Sequence, residues 1–364
     1  MQIHMVDTHN QYLKIKKEID KAIHDVIDSS KFIQGPAVNE FEHNIEKYLG
    51  CKYAVGCASG TDALQIAMMA LEIKPGDEVI TTPFTFVATA ETIALLGAVP
   101  VYADIEEKTY NIDISKIEEK ITTKTKAIMP VHLYGQPCEM DEIMKIAKKH
   151  NIYVIEDAAQ ALGAEYKTDK VCTIGHIGCI SFYPSKNLGA YGDGGMLTTN
   201  DTELADKIRM ITSHGSRKRY YYEMLGVNSR LDSIQAAILN VKLMYLDEYC
   251  KARIEAAKKY NERLDSVYES PYELPYVKHI YHQYSIRVRE RDKLHRYLSE
   301  NNIPSMIYYP VPLHIQRTYK FNTKEGDFSV TERISKEILS LPMHTELNDE
   351  QIDYICDKIL DFNK

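Results

Sequence analysis

The chain has 364 residues, of which 44% are hydrophobic and 26% are charged, a composition typical of a globular protein with a large core. Its formal net charge of -8 at pH 7 argues against a nucleic-acid-binding platform. The seven cysteines are odd in number and scattered, without a CxxC motif or a metal-type pair with nearby histidines. We therefore predict reduced thiols in the core and no metal site. No signal peptide is visible and no run reaches the ~18 apolar residues of a membrane span, which predicts a soluble, cytoplasmic protein.

Apolar residues at helical spacing predict a first helix over residues 10–29. From residue 53 onward, strand-like and helix-like segments alternate. The predicted strands span residues 53–56, 78–81, 100–103, 126–131, 153–156, 178–182 and 195–199. The helices between them are predicted over residues 61–71, 87–96 and 140–150. Strands separated by helices indicate an α/β fold with a mostly parallel, seven-stranded sheet covered on both faces.

A long helical segment is predicted over residues 233–264, and the pattern changes beyond it. The later segments at residues 285–288, 293–301 and 350–360 indicate a smaller α+β unit. We place the domain boundary near residue 245, within the long helix, which gives a large domain of residues 1–245 and a small C-terminal domain of residues 246–364. Because the sequence has no repeats or flexible linkers, we expect the two domains to pack against each other.

Lys186 is the strongest candidate for a chemical centre. It lies between the aromatic-proline segment 182–184 and the glycine-rich run 192–195, and no charged residue stands within four positions on either side. A lysine in such a partly apolar site can have a lowered pKa and react as a neutral amine. Asp157 ends an apolar strand about thirty residues earlier, the length of a βαβ unit. This pairing predicts a pyridoxal 5′-phosphate (PLP) site, in which Lys186 forms a Schiff base and Asp157 keeps the pyridine nitrogen protonated.

Two further segments contain candidate phosphate ligands. Gly60 and Thr61 follow a predicted strand and open a helix, where free N–H groups and the helix dipole favour an anion. A plain helix N-cap is the alternative interpretation of this segment, and the sequence leaves it open. Ser181, five residues before Lys186, is a second candidate phosphate ligand, with an ordinary strand serine as its alternative.

Two side chains are candidates for contact with the cofactor ring. Gln160 lies one helical turn after Asp157 and could donate to the ring oxygen. Phe86 follows a predicted strand and could stack on a planar ring, whereas Phe84 is predicted to pack in the core.

These motifs together resemble the DegT/DnrJ/EryC1/StrS sugar aminotransferases, within the type I (aspartate aminotransferase-like) PLP fold. The resemblance covers nearly the whole chain and is carried by residues 34–36, 59–64, 83–86, 156–160, 181–186, 226–232, 309–314 and 341–344. It implies the roles given above for Lys186, Asp157, Gln160 and Phe86, and a phosphate site formed by Gly60, Thr61 and Ser181. It also implies that Asn228 reaches the cofactor of the partner subunit, which makes the active site a property of a homodimer. Some members replace the lysine with histidine and are dehydratases, so Lys186 favours amino transfer.

The resemblance implies a ping-pong transamination, in which L-glutamate leaves as 2-oxoglutarate, the cofactor is held as pyridoxamine 5′-phosphate, and a nucleotide-linked keto-sugar accepts the amino group. Segments 130–136, 214–216 and 219–221 are most similar to the branch that acts on 3-keto sugars. Within it, the enzymes for UDP-2-acetamido-2-deoxy-3-oxo-glucuronate are the best match, and their product enters bacterial surface polysaccharide such as the O-antigen of lipopolysaccharide. Arg230, Tyr309 and His314 are the candidate sugar-nucleotide ligands.

Several alternatives stay open at this point. Residues 221–223 depart from the loop expected of the glucuronate branch, so a 3-keto-6-deoxy sugar is a further candidate acceptor. Amination at C4 of a 4-keto-6-deoxy nucleotide hexose is the main rival within the enzyme class. A non-catalytic, PLP-binding regulator is the rival from another class. The basic run 217–219 could pair with an anionic substrate or could be a solvated loop.

Overall fold

The computed structural model describes residues 2–362 of the chain. The strands in this range are β1 (Tyr53–Cys57), β2 (Glu78–Thr81), β3 (Val99–Tyr102), β4 (Thr125–Ile128), β5 (Tyr153–Asp157), β6 (Glu165–Tyr166), β7 (Asp169–Lys170), β8 (Ile177–Ser181), β9 (Gly195–Thr199), β10 (Val277–Lys278), β11 (Tyr284–Arg287) and β12 (Ile338–Leu341). The α-helices are α1 (Thr8–Lys14), α2 (Lys16–Ser29), α3 (Pro36–Leu49), α4 (Gly60–Ala70), α5 (Ala88–Leu95), α6 (Met140–His150), α7 (Thr202–Thr212), α8 (Ser233–Leu243), α9 (Leu246–Leu264), α10 (Arg291–Glu300), α11 (Ser329–Glu337) and α12 (Asp349–Asp361).

The main sheet has seven strands in the order β1-β9-β8-β5-β4-β2-β3. The pairs between β3, β2, β4, β5 and β8 are parallel, and only β9 runs antiparallel to its two neighbours. This confirms the predicted mostly parallel, seven-stranded sheet. Strand β4 ends three residues earlier than predicted, ahead of Pro130, whose ring nitrogen has no hydrogen to donate to a ladder.

The two long helices predicted at residues 10–29 and 233–264 are each divided, so these two predictions were wrong in extent. Helix α1 ends before Ile15, whose φ of -116° and ψ of 20° are not helical. Helices α8 and α9 are separated at Met244 and Tyr245. Leu246 and Cys250 at the start of α9 still pack in the core of α8, whereas the second half of α9 packs in another core with β11, so the change of core falls within α9 and not at the break. The break coincides with the predicted boundary near residue 245, and the division into two domains stays a prediction.

The sheet separates two apolar cores. Along β8, Ile177 and Cys179 face one core and Ile180 faces the other, the alternation expected of a strand buried on both sides. Phe84 is fully buried, as predicted, and all seven cysteines are buried free thiols. Among residues 2–362, no helix is long and apolar enough to cross a membrane.

The carboxyl ends of the parallel strands meet at one edge of the sheet, where ligands bind in open α/β folds. Cys57 ends β1, Asp157 ends β5 and Ser181 ends β8 at this edge. Gly195 begins the antiparallel β9 at the same edge, paired with both Cys57 and Ser181. The turn that leads into α4 therefore lies directly over Gly195.

We expect Gly195→Ala to lower thermal stability and to weaken PLP retention. A methyl group there would stand 2.2 Å from the carbonyl oxygen of Ser59 and 2.8 Å from the nitrogen of Gly60, so strand and helix start must separate. Overpacking of this kind typically costs ~1–3 kcal/mol. Thermal unfolding and PLP titration check the effect. Gly50→Asn is the control, because a Cβ at residue 50 meets no atom within 4 Å and Asn tolerates its φ of +79°. Equal PLP retention in both variants would contradict this account.

Candidate active site

A cavity of about 890 Å³ opens at the carboxyl edge of the sheet. Its walls come from the start of α4, the ends of β5 and β8, the segment before α5, and the segment 308–317. The structure brings together eight of the residues singled out from the sequence, namely Gly60, Thr61, Phe86, Asp157, Gln160, Ser181, Lys186 and Tyr309.

Lys186 stands on a turn in which its backbone nitrogen donates to the carbonyl oxygen of Tyr183 at 2.8 Å. The residue as a whole is partly exposed, but its ammonium group is enclosed by the cavity walls. Burial lowers the pKa of Lys186 to about 8, while the nearby carboxylate of Asp157 acts in the opposite direction. A substantial fraction of the amine is therefore neutral, and nucleophilic, near physiological pH.

Asp157 is 5% exposed at the end of β5. Thr89 donates to one carboxylate oxygen at 2.8 Å, and the backbone nitrogen of Ala159 donates to the other at 3.2 Å. Burial raises the pKa of Asp157, and the hydrogen bond from Thr89, the one from Ala159 and the charge of Lys186 lower it in that order. Thr89 was not singled out from the sequence. Its hydroxyl oxygen also lies 3.0 Å from that of Thr85, four residues earlier.

A buried pair behind Asp157 fixes the strand end that carries it. Glu156 accepts backbone N–H groups from Cys172, Ile174 and Gly175 at 2.7–2.9 Å. His132 contacts the same carboxylate through Nε2 at 3.0 Å, and its backbone nitrogen donates to the carbonyl oxygen of Asp157 at 3.0 Å. Neither residue was assigned a role from the sequence. The only local signal was the position of Glu156 inside an otherwise apolar strand, where a charge needs buried partners.

Gln160 connects the two sides of the cavity. Its carbonyl oxygen accepts from the backbone nitrogen of Tyr134 at 2.7 Å, and its amide nitrogen donates to the hydroxyl of Tyr309 at 3.1 Å. This fixes the amide orientation and leaves one N–H available for a ring oxygen. Phe86 is 55% exposed as it lines the cavity, and its ring centroid lies 6.4 Å from that of Tyr309.

The start of α4 meets Ser181 closely. A Cβ at Gly60 would lie 2.6 Å from the Cβ of Ser181, so only glycine allows this approach. Ser59 caps the helix by accepting from the backbone nitrogen of Asp62 at 3.1 Å, so the N-cap interpretation is confirmed for Ser59. The cap leaves the first N–H groups of α4 beside Ser181, an arrangement suited to an anion such as phosphate.

Three predicted site residues do not line this cavity. Asn228 accepts from the guanidinium of Arg230 at 2.7 Å on an exposed segment outside it. His314 is buried, with Nε2 2.9 Å from Glu332 and its ring packed on Phe328 at 4.7 Å between centroids. Within one subunit, Asn228 and Arg230 are therefore separate from Lys186, and His314 supports the segment 313–332 from behind.

The residues present fit PLP. A partly neutral amine and a buried carboxylate face one cavity, and a helix start with a serine beside it can hold a phosphate. Phe86 and Gln160 can contact the two remaining features of the cofactor, its ring face and its ring oxygen.

The sequence model of the DegT/DnrJ/EryC1/StrS aminotransferase family matches residues 13–360 of the chain. The chain belongs to this family. A relative from Geobacillus stearothermophilus, named pleiotropic regulatory protein, is 48% identical over 100% of this chain and 99% of its own length. UDP-2-acetamido-2-deoxy-3-oxo-D-glucuronate aminotransferase of Pseudomonas aeruginosa is 45% identical, covering 97% of this chain and 98% of its own. dTDP-3-amino-3,6-dideoxy-alpha-D-galactopyranose transaminase of Aneurinibacillus thermoaerophilus is 43% identical, covering 98% of both chains.

Two solved structures agree with this assignment. The crystal structure of S. venezuelae DesV in complex with a ketimine intermediate superposes with a TM-score of 0.97 at 36% identity, covering 100% of this chain and 99% of that one. The structure of NtdA from Bacillus subtilis with bound cofactor PMP gives a TM-score of 0.90 at 32% identity, covering 95% of this chain and 81% of that one. The fold is therefore that of the PLP-dependent aminotransferases, and this family member is a transferase with PLP as its cofactor.

We expect Thr89→Val to lower kcat by about 10- to 100-fold, because hydrogen bonds to charged groups contribute about 1.5–3 kcal/mol and about 1.4 kcal/mol is tenfold. Loss of the donor raises the pKa of Asp157 further, so its carboxylate is less able to stabilise a protonated ring nitrogen. Steady-state kinetics of the PLP-bound enzyme measures the effect. Thr92→Val is the matched control, since the Thr92 hydroxyl contacts the carbonyl oxygen of Ala88 in the same helix at 2.9 Å. Equal losses in both variants would rule out a role through Asp157.

The lowered pKa of Lys186 predicts a pH dependence of cofactor capture. Only the neutral amine attacks a carbonyl, so the amine is largely inactive below pH 8 and fully reactive above it. We expect PLP binding to the cofactor-free protein, followed by stopped-flow absorbance, to accelerate with a midpoint near pH 8. Nα-acetyl-lysine serves as the reference, with a midpoint near its ordinary pKa of about 10.4. The same midpoint for protein and reference would show that the cavity leaves the amine unperturbed.

Proposed function

We propose that this protein transfers the amino group of L-glutamate to the C3 ketone of a nucleotide-linked 3-keto sugar, with UDP-2-acetamido-2-deoxy-3-oxo-glucuronate as the best candidate. The product would enter a bacterial surface polysaccharide. The observation that carries amino transfer is the enclosure of Lys186 and Asp157 in one cavity that also has a phosphate-type helix start. A cytoplasmic location and a homodimer with shared active sites are part of the same proposal.

The chain's own residues account for the proton movements. PLP, when bound, supplies an electron sink for the bond broken at the donor's α carbon. Lys186 Nζ, partly neutral near pH 8, would take the proton from the donor's α carbon as a base and, as an acid, would deliver it to the cofactor carbon instead. Asp157 keeps a proton on the ring nitrogen, and Thr89 and Ala159 hold its carboxylate in place for this. The stabilisation matters most when negative charge develops in the transition state.

The relatives support amination at C3. The Pseudomonas aeruginosa relative is named for a 3-oxo sugar acid, and the Aneurinibacillus relative for a 3-amino-3,6-dideoxy sugar. Both names state the same carbon, although the nucleotide and the group at C6 differ. The similar identities of 45% and 43% make the 3-keto-6-deoxy sugar a second candidate acceptor.

A regulatory role is the candidate from another class, because the 48% identical Geobacillus relative is named as a regulatory protein. Cavity geometry favours catalysis over regulation. A sensor needs to bind a ligand but has no need for an amine whose pKa is lowered to about 8 beside a hydrogen-bonded buried carboxylate.

The proposed dimer is supported by the exposed surface near Asn228. Residues 220–222 are three tyrosines that are 62–72% exposed, and Leu225 is 88% exposed. Such a cluster of large apolar side chains is typical of a surface that another protein covers. Because Asn228 does not line the cavity of its own subunit, its predicted role at a phosphate requires the partner subunit's cavity.

The test uses the visible spectrum of the PLP-bound enzyme. L-glutamate should convert the absorbance of the PLP form to that of the pyridoxamine form. We expect the 3-keto glucuronate nucleotide to restore the original band, and the dTDP-linked 3-keto-6-deoxy sugar to restore it more slowly. Restoration only by a 4-keto sugar would overturn the assignment to C3 while keeping amino transfer.

Lys186→Ala is the control for catalysis. We expect this variant to lose amino transfer while retaining PLP without a covalent bond, since the other cavity residues are unchanged. Turnover near the wild-type rate in Lys186→Ala would contradict the catalytic assignment. The absence of turnover with every keto sugar in the wild-type enzyme would favour the regulatory candidate.

A further inference from the structure

The cavity has few cations for the charge of its proposed substrate. Apart from His282, the ionisable side chains among its described lining residues are Asp157, Asp193, Lys186 and Arg317, if the weakly acidic tyrosines are set aside. Lys186 reacts with the cofactor, and the two aspartates repel anions. A nucleotide-linked sugar carries a diphosphate, and a sugar acid carries a carboxylate as well. Among the lining residues of a single subunit, Arg317 is therefore the cation left for the acceptor.

The backbone around Arg317 is tied to the large domain on both sides. The backbone nitrogen of Leu313 donates to the carbonyl oxygen of Pro83 at 2.9 Å. The backbone nitrogen of Tyr319 donates to the carbonyl oxygen of Gln316 at 2.9 Å and closes a turn around Arg317. The hydroxyl of Tyr102 donates to the carbonyl oxygen of Tyr319 at 2.9 Å and holds the far end of this turn. Arg317 thus stands inside an anchored turn at the cavity wall, which reduces the ordering cost of binding a ligand there.

The guanidinium of Arg317 is exposed and free. Within residues 2–362 it has no hydrogen bond, ion pair or aromatic contact. Other arginines after residue 245 are paired, since Arg287 contacts Glu269 and Glu337 and Arg333 lies 2.9 Å from Glu107, but none of these lines the cavity. A planar guanidinium without an internal partner can offer its paired N–H groups to a carboxylate or a phosphate.

We propose that Arg317 binds an anionic group of the acceptor and thereby contributes to acceptor choice. The inference rests on the proposed function and names the recognition chemistry of that site. The shared chemistry is an oxyanion, which can be the C6 carboxylate of a sugar acid or the diphosphate of any nucleotide sugar. Binding of this kind acts on ground state and transition state alike, so it changes KM more than kcat.

The experiment compares wild-type, Arg317→Gln and Arg317→Lys holoenzymes on two acceptors. These are UDP-2-acetamido-2-deoxy-3-oxo-glucuronate and the corresponding sugar with an uncharged CH₂OH at C6. We expect Arg317→Gln to lower kcat/KM by about 10- to 100-fold through KM, as for a lost charge-assisted hydrogen bond. Arg317→Lys should recover part of the loss, because lysine keeps the positive charge but lacks the paired N–H groups of a guanidinium.

The two arms separate the sources of the oxyanion. A loss confined to the sugar acid assigns Arg317 to the C6 carboxylate, and an equal loss on both acceptors assigns it to the diphosphate. Lys320→Gln is the matched control, because it removes one positive charge from the same exposed segment outside the cavity wall. The proposal is wrong if Arg317→Gln matches Lys320→Gln on both acceptors, or if only the L-glutamate half-reaction is impaired.

The outcome is independent of the test of function. If the wild-type enzyme uses no 3-keto acceptor, including the dTDP-linked 3-keto-6-deoxy sugar, the proposed function fails. The ratio of Arg317→Gln to wild-type activity is then measured on whichever keto-sugar nucleotide the wild type accepts. A ratio of one on that acceptor would overturn the role of Arg317 as well.

Discussion

The site depends on one constraint. Lys186 and Asp157 share an enclosed cavity, and the amine must stay partly neutral there although the neighbouring carboxylate favours its charged form. Burial lowers the pKa of Lys186 and raises that of Asp157, so each charge alone is disfavoured there. Their mutual attraction opposes both shifts. The hydrogen bond from Thr89 favours only the carboxylate. The balance leaves a useful fraction of Lys186 neutral near physiological pH, and the hydrogen bonds from Thr89 and Ala159 oppose the effect of burial on Asp157.

The strand edge that presents these groups is itself held by polar contacts in the interior. Glu156 points to the side of the sheet away from Asp157 and accepts backbone N–H groups of the segment 172–175. His132 joins that carboxylate to the chain after β4. An unpaired charge at this depth would cost several kcal/mol, so the pairing specifies one arrangement of β5 relative to its neighbours. Precise placement of Asp157 follows from this arrangement.

Much of this could be predicted from the sequence, because the signals were local. Strands β2 and β9 and helix α6 matched their predicted ranges in full, and the residues at strand ends and at the start of α4 meet in one cavity. Thr89 could not be assigned, since its contact with Asp157 joins residues 68 positions apart. The break between α8 and α9 also escaped the pattern, because Leu239, Leu243, Leu246 and Cys250 keep helical spacing across it and pack in one core. Asn228 and Arg230 lie outside the cavity of their own subunit, and their role at the partner subunit's cavity stays a prediction.

The two walls of the cavity come from different parts of the chain. The cofactor wall, named for its predicted PLP ligands, comes from α4, β5, β8 and the Lys186 turn. The opposite wall is the segment 308–317, which meets the cofactor wall where Tyr309 accepts from Gln160 and where Tyr134 donates to the carbonyl oxygen of Tyr308. These contacts are made by Tyr308 and Tyr309, and not by the side chains of Val311, Gln316 or Arg317. Substitutions at the latter three positions are therefore expected to leave Lys186 and Asp157 in place. The protein has a net charge of -8, so most of its surface repels anions. A positive guanidinium without an internal partner in the cavity wall is therefore a place where recognition of an anionic substrate is expected.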